Sequence, residues 1–71
     1  MEIGKFIREK RREQGLSIER LARNANVTYN TVLNIELDKH SPAVNVLQRI
    51  LDVLGLEMVF IKNMRERDML Y

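Results

Sequence analysis

The chain has 71 residues, with twelve Lys and Arg against ten Asp and Glu, a net charge of +2, no cysteine and a single histidine, His40. That length makes one small domain whose core alone supplies limited stability, so association with a second copy is expected before any motif is read. The composition excludes disulfides, a thiolate nucleophile and a His/Cys metal cluster. No cofactor is expected, and the absence of cysteine suits a reducing, cytoplasmic setting. The longest apolar run, Met58 to Ile61, is far too short to span a membrane, and no stretch has the pattern of a signal peptide.

Charge is uneven along the chain. Residues 1 to 23 hold seven basic residues against four acidic ones, whereas the remainder holds five against six, so the positive surplus lies in the N-terminal third. A basic end on a domain with an isoelectric point near 9.3 fits a polyanionic partner.

The first predicted helix carries Ile3, Phe6, Ile7 and Gln14 on one stripe, with Lys10 placed to lay its aliphatic stem over the core. Gly15 ends it and Leu16 packs back. The second helix shows itself through Ile18, Leu21, Ala22 and Ala25, whose offsets of 0, 3, 4 and 7 share one side. Ser17 is its N-cap, and Glu19 places negative charge where the helix dipole favours it. Asn26 follows, a residue that tolerates the left-handed backbone of a sharp turn. A third helix begins near Thr28, a second capping residue. It turns Val32 and Ile35 inward and Tyr29, Asn30, Leu33, Asn34 and Leu37 outward. The stretch from Ser17 to Asp38 is thus two short helices joined by a tight turn.

Asp38, Lys39 and His40 form a loop, after which Ser41 is expected to cap a fourth helix that Pro42 starts at its first position. Val44, Leu47, Ile50, Leu51 and Leu54 make the core stripe and Gly55 stops it. Val46 and Val53 widen the apolar surface beyond one stripe, so this helix calls for two packing partners, one of them another chain. Beyond Gly55, Met58, Val59, Phe60 and Ile61 favour a strand, and a single strand needs an edge to pair with. The economical partner is the same strand of a second copy about a two-fold axis. The last eight residues, mixed in charge and without period, are expected to fray or to fold only against a partner.

Residues 4 to 56 resemble the Cro and phage-repressor type of helix-turn-helix, the XRE-like family. The likeness is carried by IGKFIREKRREQGLS, Leu21 and Ala22, Val27, TVLNIE from Thr31 to Glu36, Ser41 and Pro42, and the spacing from Leu47 to Glu57. The resemblance implies an all-α, lambda-repressor-like domain of four to five helices over residues 1–56, binding operator DNA as a dimer. The C-terminal strand and tail at 57–71 would then serve dimerisation. It also implies an ion pair between Arg11 and Glu36 tying the first helix to the third, structural rather than catalytic or DNA-contacting. Base-reading positions carry over to Thr28, Tyr29, Asn30, Leu33 and Asn34. There Asn can bond adenine N6 and N7 together, while Thr and Leu can touch thymine methyls. Phosphate contacts fall to Ser17, Arg20, Arg23, Lys39 and His40, with Arg12 a weaker candidate.

Three departures from the family pattern stand out: Ile18 replaces the usual Gln, Asn26 the usual turn Gly, and Leu37 and Asp38 the usual polar residue and Gly. Leu33 and Leu37 are left as an exposed apolar pair, suited to DNA methyls or to a protein interface. The layout of a helical domain followed directly by a strand is also similar to HipB-like antitoxins, which implies a toxin kinase as a further partner. A module that keeps the fold and docks a protein without reading DNA is the competing class. Catalysis is not expected. Asp38, His40 and Ser41 lie too close in sequence to set up a triad, and Gly4, Gly15 and Gly55 are too far apart for a phosphate loop.

Overall fold

The computed structural model of the chain describes residues 3–39 and 41–59. Within them lie four helices: α1 (Ile3–Glu13), α2 (Ile18–Ala25), α3 (Tyr29–Glu36) and α4 (Val44–Val53). Helix α2 packs against both α3 and α4, and α1 closes over α3. Ile7, Leu21, Val32 and Ile50 are completely buried where the four helices meet, with Ala22, Ala25, Ile35, Leu51 and Leu54 around them. The two alanines keep the inner face of α2 low, so α3 and α4 seat closely on it.

Helices of eight residues are unstable alone, and local bonding at both ends compensates. Ser17 Oγ accepts from the Arg20 N–H at 3.0 Å, and Thr28 Oγ1 accepts from the Thr31 N–H at 3.1 Å, each satisfying a donor that the helix leaves unpaired. All four C-termini close the same way. The residue after a left-handed position donates back five residues, Leu16 to Arg11 at 3.1 Å, Val27 to Ala22 at 2.9 Å, Lys39 to Asn34 at 3.0 Å and Leu56 to Leu51 at 2.8 Å. The left-handed positions are Gly15 and Gly55, where glycine carries no strain, and Asn26 and Asp38, with φ of 57° and 56°.

Asp38 has a second bond that accounts for its tolerance there: its Oδ1 accepts from the Gly4 N–H at 3.2 Å, giving α1 an N-terminal acceptor from 34 residues away. No acidic residue occupies the first turn of α1 itself, so Asp38 also supplies the negative charge that this helix end favours. The contact requires Gly4. A Cβ there would collide with the carbonyl of Ile35 and lie 2.8 Å from that of Glu36, both backbone atoms that cannot step aside. Gly4→Ala is therefore expected to lower stability by about 1–3 kcal/mol, measured by urea denaturation, although alanine is the better helix former.

The start of α4 differs from the sequence expectation. The helix begins at Val44 with Ala43 in the capping position, and no side chain caps it; Ser41 and Pro42 precede it in irregular chain. Instead, Asn45 Oδ1 accepts from the Val46 N–H at 3.0 Å, serving a first-turn donor from inside the helix. This later start puts Val44 in the opening turn, where it is half exposed instead of in the core. At the other end Gln14 Nε2 donates to the Leu54 carbonyl at 2.6 Å and ties the ends of α1 and α4 together.

Residues 56–59 carry no regular structure. They keep the alternation of a strand, with Leu56 and Met58 packed on the core and Glu57 and Val59 outward. The described residues otherwise hold helices, so this segment has no edge to form a ladder with. Phe60, Ile61 and the tail lie outside the described residues. No helix among the described residues is long and apolar enough to cross a membrane.

Candidate nucleic-acid interface

The outward face of α3 is set by what its inner face is bound to. Val32, Ile35 and Glu36 are buried. Arg11 reaches Glu36 with two parallel bonds, Nε to Oε2 at 2.7 Å and Nη2 to Oε1 at 2.9 Å, and its Nη1 donates to the Leu16 carbonyl at 2.8 Å. The hydrogen bonds to Glu36 raise Arg11 above its ordinary pKa against the opposing pull of burial, so the guanidinium stays charged. Fork-to-fork geometry of this kind fixes the rotation of α3 about its axis as well as its distance from α1. With the Asp38–Gly4 bond, both polar ties between α1 and α3 lie at the C-terminal end of α3, leaving its N-terminal half to project.

On the projecting face, Thr28, Tyr29 and Asn30 are exposed, and Leu33 and Asn34 are half-buried. The Thr28 hydroxyl is already engaged, accepting from the Thr31 amide and sharing a 2.8 Å bond with Thr31 Oγ1. Thr28 is thereby a cap first, leaving its methyl as the free group. A groove flanks the face on each side. Asn30, Thr31 and Asn34 line one of about 210 Å³ with Pro42, Ala43 and Val46. Leu33 and Leu37 line the other, of about 240 Å³, with Ile18, Arg8 and Arg12.

Ser17, Arg20, Arg23 and Lys39 are all exposed. The Ser17 oxygen is occupied by its own helix and its O–H remains available to donate. Arg23 Nη2 pairs with Glu19 Oε1 at 3.0 Å across one turn of α2, an exposed pair weak enough to exchange for a phosphate. Lys10 lies with its Nζ 5.7 Å from the centre of the Phe6 ring and pairs with Glu13 at 3.5 Å, so this cation is held on the far part of α1. His40 lies outside the described residues. Among the dimerisation candidates, Val46, Val53 and Met58 are half-buried and Val59 is exposed.

Arg8 is the member of this surface that the sequence reading leaves out; its place one turn before Arg12 is the available signal. Leu37, which the helical period turns outward beside Leu33, is exposed.

A short capped helix, a left-handed turn at Asn26 and a second helix presented outward from a charged clamp together define a helix-turn-helix protein. The chain belongs to the helix-turn-helix family, whose family model matches residues 7–61, and within it to the XRE type. It is similar to the HTH-type transcriptional regulator PuuR of Escherichia coli K12 and of Shigella flexneri, 44% identical over 55 residues that cover 78% of this chain and 30% of that protein. It is also similar to an HTH-type transcriptional regulator of Methanothermobacter thermautotrophicus, 40% identical over 54 residues covering 76% of this chain and 78% of the relative. The chain thus spans about a third of PuuR and most of the archaeal relative.

Proposed function

We propose that this protein is a sequence-specific DNA-binding transcriptional regulator, a repressor that binds a palindromic operator as a homodimer. The observation that carries the reading is the outward face of α3, with Tyr29, Asn30, Leu33 and Asn34 presented together while Arg11–Glu36 holds the opposite face. The helix-turn-helix relatives are named transcriptional regulators, which supports it. Helix α3 enters the major groove. Asn30 and Asn34 read adenine, Tyr29 and Thr28 touch the groove wall, and Ser17, Arg20, Arg23, Lys39 and His40 take phosphates. Residues 1–56 form the DNA-binding unit. Residues 57–71 join two copies through Met58, Val59, Phe60 and Ile61, supplemented by Val46 and Val53.

A finer reading rests on the layout of a helical domain followed directly by the β-forming run LGLEMVFI: the protein is an antitoxin that represses transcription and also holds a toxin kinase. Selection of duplexes from a random pool tests the main reading. It is expected to return an inverted repeat with half-sites about 34 Å apart, bound with an affinity that falls steeply with salt. Co-purification of a protein partner without selection of any duplex would favour a docking module instead.

A further inference from the structure

We infer that the half-site read by α3 presents thymine methyl groups to Leu33 and Leu37, with the adjoining phosphates held by Arg8 and Arg12. The inference rests on the regulator reading above and specifies the chemistry of its DNA.

The groove between α1, the start of α2 and the C-terminal half of α3 has an apolar lining of Ile18, Leu33 and Leu37. Leu37 is 53% exposed, a large apolar side chain at the end of the reading helix. Arg11 and Glu36 also line the groove, but each is neutralised by the other, so they add no free charge. Arg8 and Arg12 do. Both are exposed, they stand one turn apart on the same face of α1, and neither has an acidic partner among the described residues.

A partner for this surface must be apolar at its centre and anionic at its edge. The major-groove edge of a strand rich in thymine has that pattern, with the C5-methyl in the groove and phosphates beside it. Helix α3, YNTVLNIE, contains no Arg, Lys or Gln, the groups that hydrogen-bond guanine or supplement Asn at adenine, so apolar contact is the main reading chemistry left beside Asn30 and Asn34. Continuity favours DNA over an acidic apolar peptide. Leu33 belongs to the same outward face as Asn30 and Asn34, and Ile18 directly follows the Ser17 cap, so the groove and the adenine-reading residues form one surface.

The test uses the full chain and a duplex selected from a random pool, remade with deoxyuridine in place of each thymine in turn. Loss of one methyl is expected to weaken wild-type binding about fourfold at the positions read. Leu37→Ala or Leu33→Ala loses the contact in both half-sites, so it should bind the thymine duplex about sixteenfold less well and be indifferent to deoxyuridine at its own position. Leu37 is half exposed, so its variant is expected to fold, and a thermal melt checks this; the wild-type series needs no variant at all. Arg8→Gln and Arg12→Gln should each lower the slope of log affinity against log salt by about 2, one phosphate contact in each half-site. Selected half-sites without thymine, or deoxyuridine duplexes bound as tightly as thymine ones, would overturn the inference and leave the regulator reading standing. Leucine and arginine variants that all leave DNA binding unchanged would also overturn it. Failure to select any duplex would remove both readings.

Discussion

Arg11→Met is expected to lower the unfolding free energy by about 3–5 kcal/mol, because it leaves Glu36 charged and buried with no partner. The Glu36 side chain is only 4% exposed and accepts both of its bonds from Arg11. The Leu16 carbonyl, part of the cap on α1, loses its bond in the same step. For a domain of 71 residues this is a large share of the total, since small domains retain roughly 5–15 kcal/mol. Glu36→Leu alone should be comparably damaging, because it strands the guanidinium. The double variant Arg11→Met, Glu36→Leu should lose far less than the two singles together, because no uncompensated charge remains. Urea denaturation of the wild type and the three variants checks this. Single variants as stable as wild type would contradict it, and simple additivity would show that the pair is not coupled.

The pair also explains which parts of this fold are legible in sequence. Helix α2 could be read directly, because its apolar offsets, its Ser17 cap and the left-handed turn at Asn26 are all local and all agree. The ends of α1 and α4 were equally plain, since a glycine in a left-handed position stops a helix whatever lies around it. The Arg11–Glu36 tie spans 25 residues and was suggested only by resemblance to a family; no local pattern connects the two.

Non-local features escaped for the same reason. Asp38 reads as an ordinary loop residue, and only the fold brings its carboxylate to the amide of Gly4. The burial of Gly4, in turn, depends on the carbonyls of Ile35 and Glu36. Ser41 and Pro42 form a familiar helix-start pair, and here the chain stays extended through Ala43 (ψ 148°) while Asn45 serves the first turn from within. Val44 then falls outside the core stripe that its spacing suggested. In the candidate interface, exposure could be read from helical period at Asn30 and Leu37. That Arg8 and Arg12 share a groove with Leu33 and Leu37 depends on how α1 crosses α3, and a pattern within one helix does not report a crossing.

Sequence reading by α3 is the central claim, and the Asn30→Ala, Asn34→Ala double variant tests it most directly. The two amides stand one turn apart on the outward face and line the same groove. Each well-placed Asn–adenine pair supplies about 1–3 kcal/mol of discrimination. The double variant should therefore lose its preference for a selected duplex over a scrambled one by on the order of a hundredfold for each half-site, and by about a thousandfold or more for the dimer on its whole operator. Its binding to scrambled DNA should stay close to wild type, because that term comes from phosphates held by other residues. Both side chains lie at the surface or half-buried, outside the core, so the fold should survive the change. The measurement is the ratio of the two dissociation constants at one salt concentration for wild type and double variant. A collapse of that ratio with scrambled-DNA affinity retained is the predicted result; an unchanged ratio would contradict the claim that α3 reads the sequence through these residues.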